Sequence, residues 1–252
     1  MAFTFKPIAA AVLALSMGVA APAMALDDKQ KEEIGQFIKE YLIQNPEIML
    51  DVQNALQAKQ EAARTQASAE AVAANKKAIF SDSGDMILGN PKGDVTIVEF
   101  FDYNCGYCKH ALSDMNEIID ADKNVRFVLK ELPILGPDSM AAHKVSYAFK
   151  ALAPEKYGEF HRALLGGDVR ATEERAIEVA TSLGVKEDAL RKQMADKPND
   201  ASVKDVYQLA GTLGITGTPS YVIGNEAVFG AVGAEALEEK IGNVRSCGKT
   251  IC

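Results

Sequence analysis

The sequence predicts an α/β domain that contains a long helical insertion and follows a separate helical segment. β-branched and aromatic runs begin at Val95 and Val125, as expected of buried strands, and residues 106–121 between them have the period of a helix. Residues 137–213 have the pattern of several helices, and strand character returns after Gly217. The predicted order is therefore β, α, β, helical insertion, β, β, α.

The first 25 residues differ from the rest of the chain. Lys6 is followed by an apolar run over residues 8–21, and small residues, Ala23 and Ala25, end the segment. This is the pattern of a cleaved signal peptide, and the apolar run is short for a membrane span. We therefore expect residues 1–25 to direct export to the periplasm, with an uncleaved anchor as the alternative.

Charge and length set the remaining limits. The chain has 252 residues and a formal net charge of -8, so nucleic acids and anionic membrane surfaces are poor partners for it. Composition divides the exported part into residues 26–80, which have the pattern of helices, and residues 81–252, which form the α/β domain with its insertion at about 137–213.

Two apolar stripes mark the N-terminal helical region. Asn45-Pro46 separates them, since Asn is a good helix cap and Pro fits the first helical turn. The apolar side chains recur at spacings of three and four: Ile34, Phe37, Ile38, Tyr41 and Leu42, then Ile48, Met49, Val52, Ala55 and Leu56. Such short stripes need a partner, either the main domain or another copy of the chain. We expect self-association, with residues 57–80 as a helical stalk.

Local signals place several boundaries in the second half of the chain. Thr172 caps a helix that runs to Gly184, with acidic residues in its first turn. A hairpin turn is predicted at Gly224-Asn225-Glu226, between two short strands. Residues 233–242 are predicted to form the last helix.

Cys105 and Cys108 lie where the first strand leads into a helix. A lone C-x-x-C motif is compatible with half a zinc site, a disulfide or a redox centre. Here the helix N-terminus would stabilise a thiolate at Cys105, which favours thiol exchange. Cys108 shares a helix face with the apolar residues Leu112, Met115 and Ile119. We expect an exposed Cys105 to attack and a shielded Cys108 to resolve the mixed disulfide.

Glu99 lies within the apolar strand that precedes the motif. A carboxylate in such surroundings tends to have a raised pKa, and this one could exchange protons with Cys108. The alternative is a structural ion pair with Lys130 on the next strand.

Thr218-Pro219 lies just before the returning strand. X-Pro bonds adopt the cis form at modest cost, and a cis bond would bring the Thr218 backbone beside the cysteines to pair with an extended substrate. An ordinary turn proline is the alternative. We assign catalytic roles to Thr218 and Pro219, beside Cys105, Cys108 and Glu99, and substrate contacts to Gly106, Tyr107, Gly217 and Thr218.

Residues 100–108, the helical insertion and Thr218-Pro219 together resemble the DsbA-like branch of the thioredoxin superfamily, over about residues 85–245. The resemblance implies a thioredoxin fold with a helical insertion. Residues 37–48 resemble the suppressor-of-copper-sensitivity protein C (ScsC) group. That likeness implies a trimer, disulfide isomerase or reductase activity on exported proteins, a membrane redox partner of DsbD or ScsB type, and a link to copper tolerance.

Two positions bear on the direction of the reaction. DsbA-type oxidases usually carry Pro-His between the cysteines and Val before the cis proline, whereas this chain has Gly106-Tyr107 and Thr218, which resemble the isomerase DsbC. Without the His, a positive partner of the thiolate is missing, so the disulfide is less oxidising. We expect a periplasmic disulfide isomerase or reductase. A dithiol oxidase is the alternative within the same class.

The remaining polar residues suggest less. Cys247 and Cys252 are expected to form a local disulfide, with a second redox relay or a four-cysteine zinc site as the alternatives. Reduced Cys105 and Cys108 could bind copper(I), which prefers soft thiolates, so a copper(I)-binding protein is the alternative of another class. No cofactor is required. Three scattered histidines form no triad or metal spacing: His110, His143 and His161.

Overall fold

A computed structural model describes residues 27–80 and 85–252 of the chain. The expected signal peptide, residues 1–25, lies outside these ranges. The structure divides into two compact units, one ending at Ala58 and the other beginning at Lys59. Within the described ranges no helix is both long and apolar enough to cross a membrane.

The N-terminal region is helical, as predicted. It comprises α1 (Asp28–Gln44), α2 (Glu47–Ala74) and α3 (Lys76–Phe80). Asp27 caps α1 through a reciprocal pair of hydrogen bonds with Gln30, and the cap at the other end is Asn45. No side chain of α1 is buried.

A five-stranded sheet forms the centre of the second unit. Its strands are β1 (Met86–Gly89), β2 (Val95–Phe101), β3 (Val125–Glu131), β4 (Ser220–Ile223) and β5 (Glu226–Phe229). The spatial order is β1-β3-β2-β4-β5, in which β2 and β3 are parallel and the other neighbours are antiparallel. β1 was not predicted, because four residues at a sheet edge are too few to show a strand pattern.

The predicted helices of the second unit are present. They are α4 (Gly106–Ala121), α5 (Pro137–Leu152), α6 (Tyr157–Leu165), α7 (Glu173–Ser182), α8 (Glu187–Asp196), α9 (Asp200–Thr212) and α10 (Ala234–Cys247), with a short 3-10 turn at Pro154–Lys156. Helix α4 has the predicted bounds. The insertion between β3 and β4 contains α5 to α9, and Thr172 caps α7 by accepting from the Arg175 N–H at 3.2 Å.

The predicted end of the last helix at Gly242 is wrong, because α10 continues to Cys247. One glycine inside a helix costs only about 1 kcal/mol, and contacts beyond it offset that cost. Val244 packs against the core, and Arg245 forms ion pairs with Asp94 and Asp122. Gly248, with φ of 77°, ends the helix in the left-handed conformation.

The two faces of the sheet carry separate cores. Ile97 and Phe101 of β2 face the cluster that contains α4 and the insertion, whereas Val98 and Phe100 face a second cluster. The second cluster includes Val72 of α2, which is 3% exposed, along with Ile79 of α3 and residues of α9. Part of the predicted stalk at 57–80 is therefore packed into the second unit and covers one face of its sheet.

Candidate thiol-exchange site

Cys105 is the N-cap of α4, directly after β2. Its Sγ accepts a hydrogen bond from the Cys108 backbone N–H at 3.3 Å, and its own N–H donates to the Asp102 carbonyl at 3.0 Å. Both cysteines are free thiols. Cys108 is fully buried, as predicted, but Cys105 is only 4% exposed, so the expectation of an exposed Cys105 is wrong.

The Thr218–Pro219 bond, predicted to be cis, is cis, and it lies between α9 and β4. In the thiol form, Cys105 Sγ donates to the Thr218 carbonyl at 3.1 Å. The loop therefore lies against Cys105 and accounts for its low exposure. Residues 113 positions apart in sequence meet at the reacting sulfur.

The two thiols have opposite acidities. A hydrogen bond from the Cys108 thiol is the largest influence on Cys105. With hydrogen bonds from the Thr218 side chain and from the backbone of Tyr107 and Cys108, it outweighs burial and lowers the Cys105 pKa to about 6. The same bond to Cys105, together with burial, raises the pKa of Cys108. At neutral pH Cys105 is therefore a thiolate nucleophile, whereas Cys108 keeps its proton.

Glu99 lies in the centre of β2 and is 2% exposed. Burial, followed by the negative charge of Cys105, raises the pKa of Glu99 to about 8. The alternative ion pair with Lys130 is absent, because Lys130 lies opposite Phe100 in the register and its Nζ binds Asp85 at 2.6 Å. Within the described residues, Glu99 Oε2 has no hydrogen-bond partner.

Tyr221 is a neighbour of Glu99 that the sequence analysis missed. It lies directly across from Glu99 in the antiparallel β2–β4 pairing, and residues paired in this way project from the same face. Burial and then the charge of Glu99 raise the pKa of Tyr221. Its hydroxyl, like Glu99 Oε2, is buried without a partner in the described structure. The sequence signal that could have identified it is its position two residues after Pro219, in the strand that follows the loop.

Asp102 and Asn104 fix the turn that carries Cys105, and both were missed. The Asp102 carboxylate accepts from the Asn104 N–H at 2.8 Å, the Ser139 hydroxyl at 2.7 Å and the Leu135 N–H at 2.9 Å. Asn104 forms a two-way pair with the backbone of Ala171 at 2.8 and 2.9 Å. The helical insertion thereby positions the thiol loop.

A second buried polar cluster is centred on Glu131. Glu131, at the end of β3, accepts from the Ser146 hydroxyl at 2.7 Å and the Tyr157 hydroxyl at 2.9 Å, and pairs with His143 Nδ1. Burial would raise the pKa of Glu131, but the charge and hydrogen bond of His143 outweigh it and hold the pKa at about 2. Tyr103 continues the cluster towards Cys105 through contacts at 3.0 Å with Ser146 and 3.3 Å with Tyr157.

The other predicted residues lie in two places. Tyr107 is 70% exposed beside Cys105, Gly106 is exposed, and Gly217 lies in the cis-proline loop. Cys247 and Cys252 form a disulfide at the end of α10 with a Cα–Cα distance of 6.1 Å, which excludes them as zinc ligands here. Among the described residues, no group of three or more His, Cys, Asp or Glu side chains could hold a metal ion.

Comparison with known families agrees with the geometry. The profile of the DSBA-like thioredoxin domain matches residues 96–242, more than half of the chain. The chain belongs to the DSBA-like thioredoxin domain family. A second profile, the copper resistance protein ScsC N-terminal domain, matches residues 30–63. The chain thus combines a DSBA-like thioredoxin domain with an N-terminal region similar to that of ScsC, and it has the thioredoxin fold and helical insertion that the sequence predicted.

Solved structures extend the comparison. A thioredoxin-like oxidoreductase from Silicibacter pomeroyi is 38% identical, covers 69% of this chain and 99% of its own, and has a TM-score of 0.65. The thiol-disulfide exchange protein α-DsbA2 from Wolbachia pipientis is 28% identical, covers 72% of this chain and 98% of its own, and has a TM-score of 0.67. Proteus mirabilis ScsC in a transitional conformation is 27% identical, covers 85% of this chain and 94% of its own, and has a TM-score of 0.58. The ScsC likeness therefore extends over both the helical region and the α/β domain.

The curated relatives match this chain over only part of their own length. The Na+/H+ antiporter NhaA 3 of Salinispora tropica is 24% identical over 157 residues, which is 62% of this chain but 24% of that protein. The chain spans about a quarter of the length of the curated relatives it matches.

Proposed function

We propose that this protein is a periplasmic disulfide isomerase or reductase that acts on exported proteins through Cys105 and Cys108. The observation that carries the proposal is the acidic Cys105 thiol, held beside the backbone of Thr218 and above a buried Cys108. Gly106-Tyr107 places no basic side chain between the cysteines, and Thr218 precedes the proline. The first feature favours a disulfide that is less oxidising than that of a DsbA-type oxidase, and the second resembles the isomerase DsbC.

The reaction begins when the Cys105 thiolate attacks one sulfur of a substrate disulfide. The substrate S–S bond breaks, a mixed disulfide with Cys105 forms, and the other substrate sulfur leaves as a thiolate. In isomerisation, that or another substrate thiolate then attacks the substrate sulfur bound to Cys105. Cys105 is thereby released as a thiolate, and no net electrons are transferred.

In reduction, Cys108 completes the reaction. It loses its proton, its sulfur attacks Cys105 Sγ, and the substrate leaves with both of its sulfurs reduced while Cys105 and Cys108 form a disulfide. Glu99 is the base we assign to this step. While Cys105 is a thiolate its charge helps to keep Glu99 protonated, and that charge disappears in the mixed disulfide. Glu99 can then ionise and accept the Cys108 proton. A membrane partner of DsbD or ScsB type would return two electrons.

A scrambled multi-disulfide protein tests the direction of the reaction. The reduced protein should restore activity to such a substrate, because Cys105 can enter wrong disulfides and leave again. The variant Cys105→Ser should lose all exchange, and Cys108→Ser should accumulate mixed disulfides. Rapid oxidation of reduced peptides with no recovery of the scrambled substrate would instead establish the dithiol oxidase.

The exposed apolar side chains of the first unit support self-association. Phe37 is 67% exposed, Ile43 68% and Leu50 62%, which is unusual for side chains of this size on helices. A second copy of the chain would bury them, and a trimer is the expected assembly. Light scattering of the protein and of Phe37→Glu tests this. A wild-type protein that stays monomeric at high concentration would contradict it.

Copper(I) binding is a second candidate function. Two free thiols lie side by side, and residues 30–63 match the profile of the copper resistance protein ScsC N-terminal domain. Copper(I) prefers soft thiolates and few ligands, so two cysteines from one chain suffice to hold it. Copper(I) titration of the reduced protein against a competing chelator tests this, with Cys105→Ser as the control. Equal affinity in both proteins would exclude the site.

A further inference from the structure

A groove of about 680 Å³ lies beside the cis-proline loop. One wall is the second half of α2, represented by Ala67, Ser68 and Ala71. Thr218 and Pro219 form the facing wall with Phe229, which is 48% exposed. The volume is in the range of binding sites for small or peptide-like ligands.

The α2 wall is fixed to the sheet. Ser68 Oγ accepts a hydrogen bond from the backbone N–H of Ala227 at 3.1 Å, so the helix covers part of the outer edge of β5. One turn further along, Val72 is buried in the core beneath the sheet. Both contacts lie within the second unit, which begins at Lys59. The groove is therefore part of the same compact unit as the thiol site.

The groove and the reacting sulfur share a neighbour, Thr218. Thr218 lines the groove, and the carbonyl of the same residue lies 3.1 Å from Cys105 Sγ. A substrate in mixed disulfide with Cys105 has its own cysteine at that point. Since an extended chain advances about 3.3 Å per residue, the residues that flank this cysteine reach the groove within a few positions.

The lining specifies what those residues should be. Ala67, Ala71 and Phe229 make it largely apolar, and Arg64 is the only charged residue among the described residues that line it. An extended apolar segment with an acidic side chain towards Arg64 therefore complements the surface.

We propose that the second half of α2 is a substrate-binding element, whose groove holds the apolar segment that flanks the reacting cysteine of an unfolded or misfolded protein. This inference rests on the proposed thiol exchange and adds the substrate class to it. It also assigns the ScsC-type helix a contact with substrate, in addition to any role in self-association.

The test compares a peptide disulfide with glutathione disulfide. Ala67→Phe fills the groove, so the ratio of the peptide rate constant to the glutathione rate constant should fall about tenfold, which corresponds to the loss of ~1.4 kcal/mol of binding. Ala62→Phe is the matched control, since Ala62 is an exposed alanine of the same helix outside the groove, and it should keep the wild-type ratio. An unchanged ratio in Ala67→Phe would overturn the proposal.

A charge reversal tests the Arg64 contact independently. Wild-type protein should prefer an apolar peptide disulfide that carries Glu beside the cysteine over the same peptide with Lys, and Arg64→Glu should reverse this preference. The same preference in both proteins would overturn the acidic part of the inference. Failure of wild-type protein to react even with glutathione disulfide would instead refute the proposed function, so the two failures are distinguishable.

Discussion

Glu99 and Glu131 are buried carboxylates on neighbouring parallel strands, and their surroundings are opposite. Glu131 receives two hydroxyl hydrogen bonds and an ion pair, and its pKa is held at about 2. Glu99 has one oxygen without a partner in the described structure, and its pKa is raised to about 8. The comparison separates a carboxylate that stabilises the fold from one whose protonation changes with the state of the thiols.

The largest effect is expected from Glu131→Gln. The buried carboxylate contacts His143 and accepts from the hydroxyls of Ser146 and Tyr157, so its replacement by a neutral amide should lower the free energy of unfolding by about 3 kcal/mol. Urea unfolding at pH 7 measures the loss.

Glu187→Gln is the matched control, because Glu187 pairs with Arg191 on the surface. Because both side chains are exposed, the expected loss is much smaller than that of Glu131→Gln. Similar losses in both variants would contradict the structural role of Glu131.

Glu99→Gln should change the free energy of unfolding in the opposite direction. The folded pKa of Glu99 is raised, so the carboxyl favours the folded state below its unfolded pKa of about 4.5, and this advantage disappears as the pH rises towards 8. Between pH 4 and pH 7 the stability of the variant should therefore improve by about 3 kcal/mol relative to wild type.

Urea unfolding of reduced wild type and Glu99→Gln at both pH values measures this change. The variant should also release substrate from the mixed disulfide more slowly, since Cys108 has lost its base. A stability difference that does not vary with pH would show that Glu99 titrates normally.

Two tyrosines, one near each carboxylate, allow the same comparison with smaller expected changes in stability. Tyr103→Phe removes hydroxyl contacts to Ser146 and Tyr157, so it should cost about 1 kcal/mol. Tyr221→Phe removes a buried hydroxyl that has no partner in the described structure, so it should be neutral or stabilising by about 1 kcal/mol. Thermal unfolding of both variants checks the signs, and two losses of equal size would remove the distinction between the two sites.

The smallest effect concerns Cys105. Alkylation of the reduced protein with iodoacetamide should rise with pH around a midpoint of about 6, because only the thiolate reacts. Glu99 is protonated at that pH, so Glu99→Gln should leave the midpoint within a few tenths of a unit. A midpoint near 8.5 in wild type would show that the contacts of Cys105 do not stabilise its thiolate.

Local sequence signals predicted most of the fold. The strand before Cys105, the bounds of α4 and the cap at Thr172 each depend on residues close together in the chain. The structure confirms them for that reason. The cis Thr218–Pro219 bond was predictable only with Cys105 in view, because the two meet across more than a hundred residues.

The polar clusters were harder to predict. The alternative of a Glu99–Lys130 ion pair is wrong because it did not take account of the strand register, which points the two side chains to opposite faces of the sheet. The partners of Glu131 come from α5 and α6, and no short-range pattern relates His143 or Tyr157 to the end of a strand. The α2 wall of the groove was missed for the same reason.

The disulfide between Cys247 and Cys252 has a practical consequence for a protein of this kind. Both cysteines lie in the exposed C-terminal segment, so the Cys105 thiolate of one molecule can attack this bond in another molecule. Such self-exchange depends on protein concentration: the molecule whose C-terminal disulfide is reduced gains two thiols, and the molecule that attacks it loses two as its Cys105 and Cys108 form a disulfide. A reduction potential assigned to Cys105 and Cys108 should therefore be measured on dilute protein, or on a chain in which both C-terminal cysteines are replaced by serine.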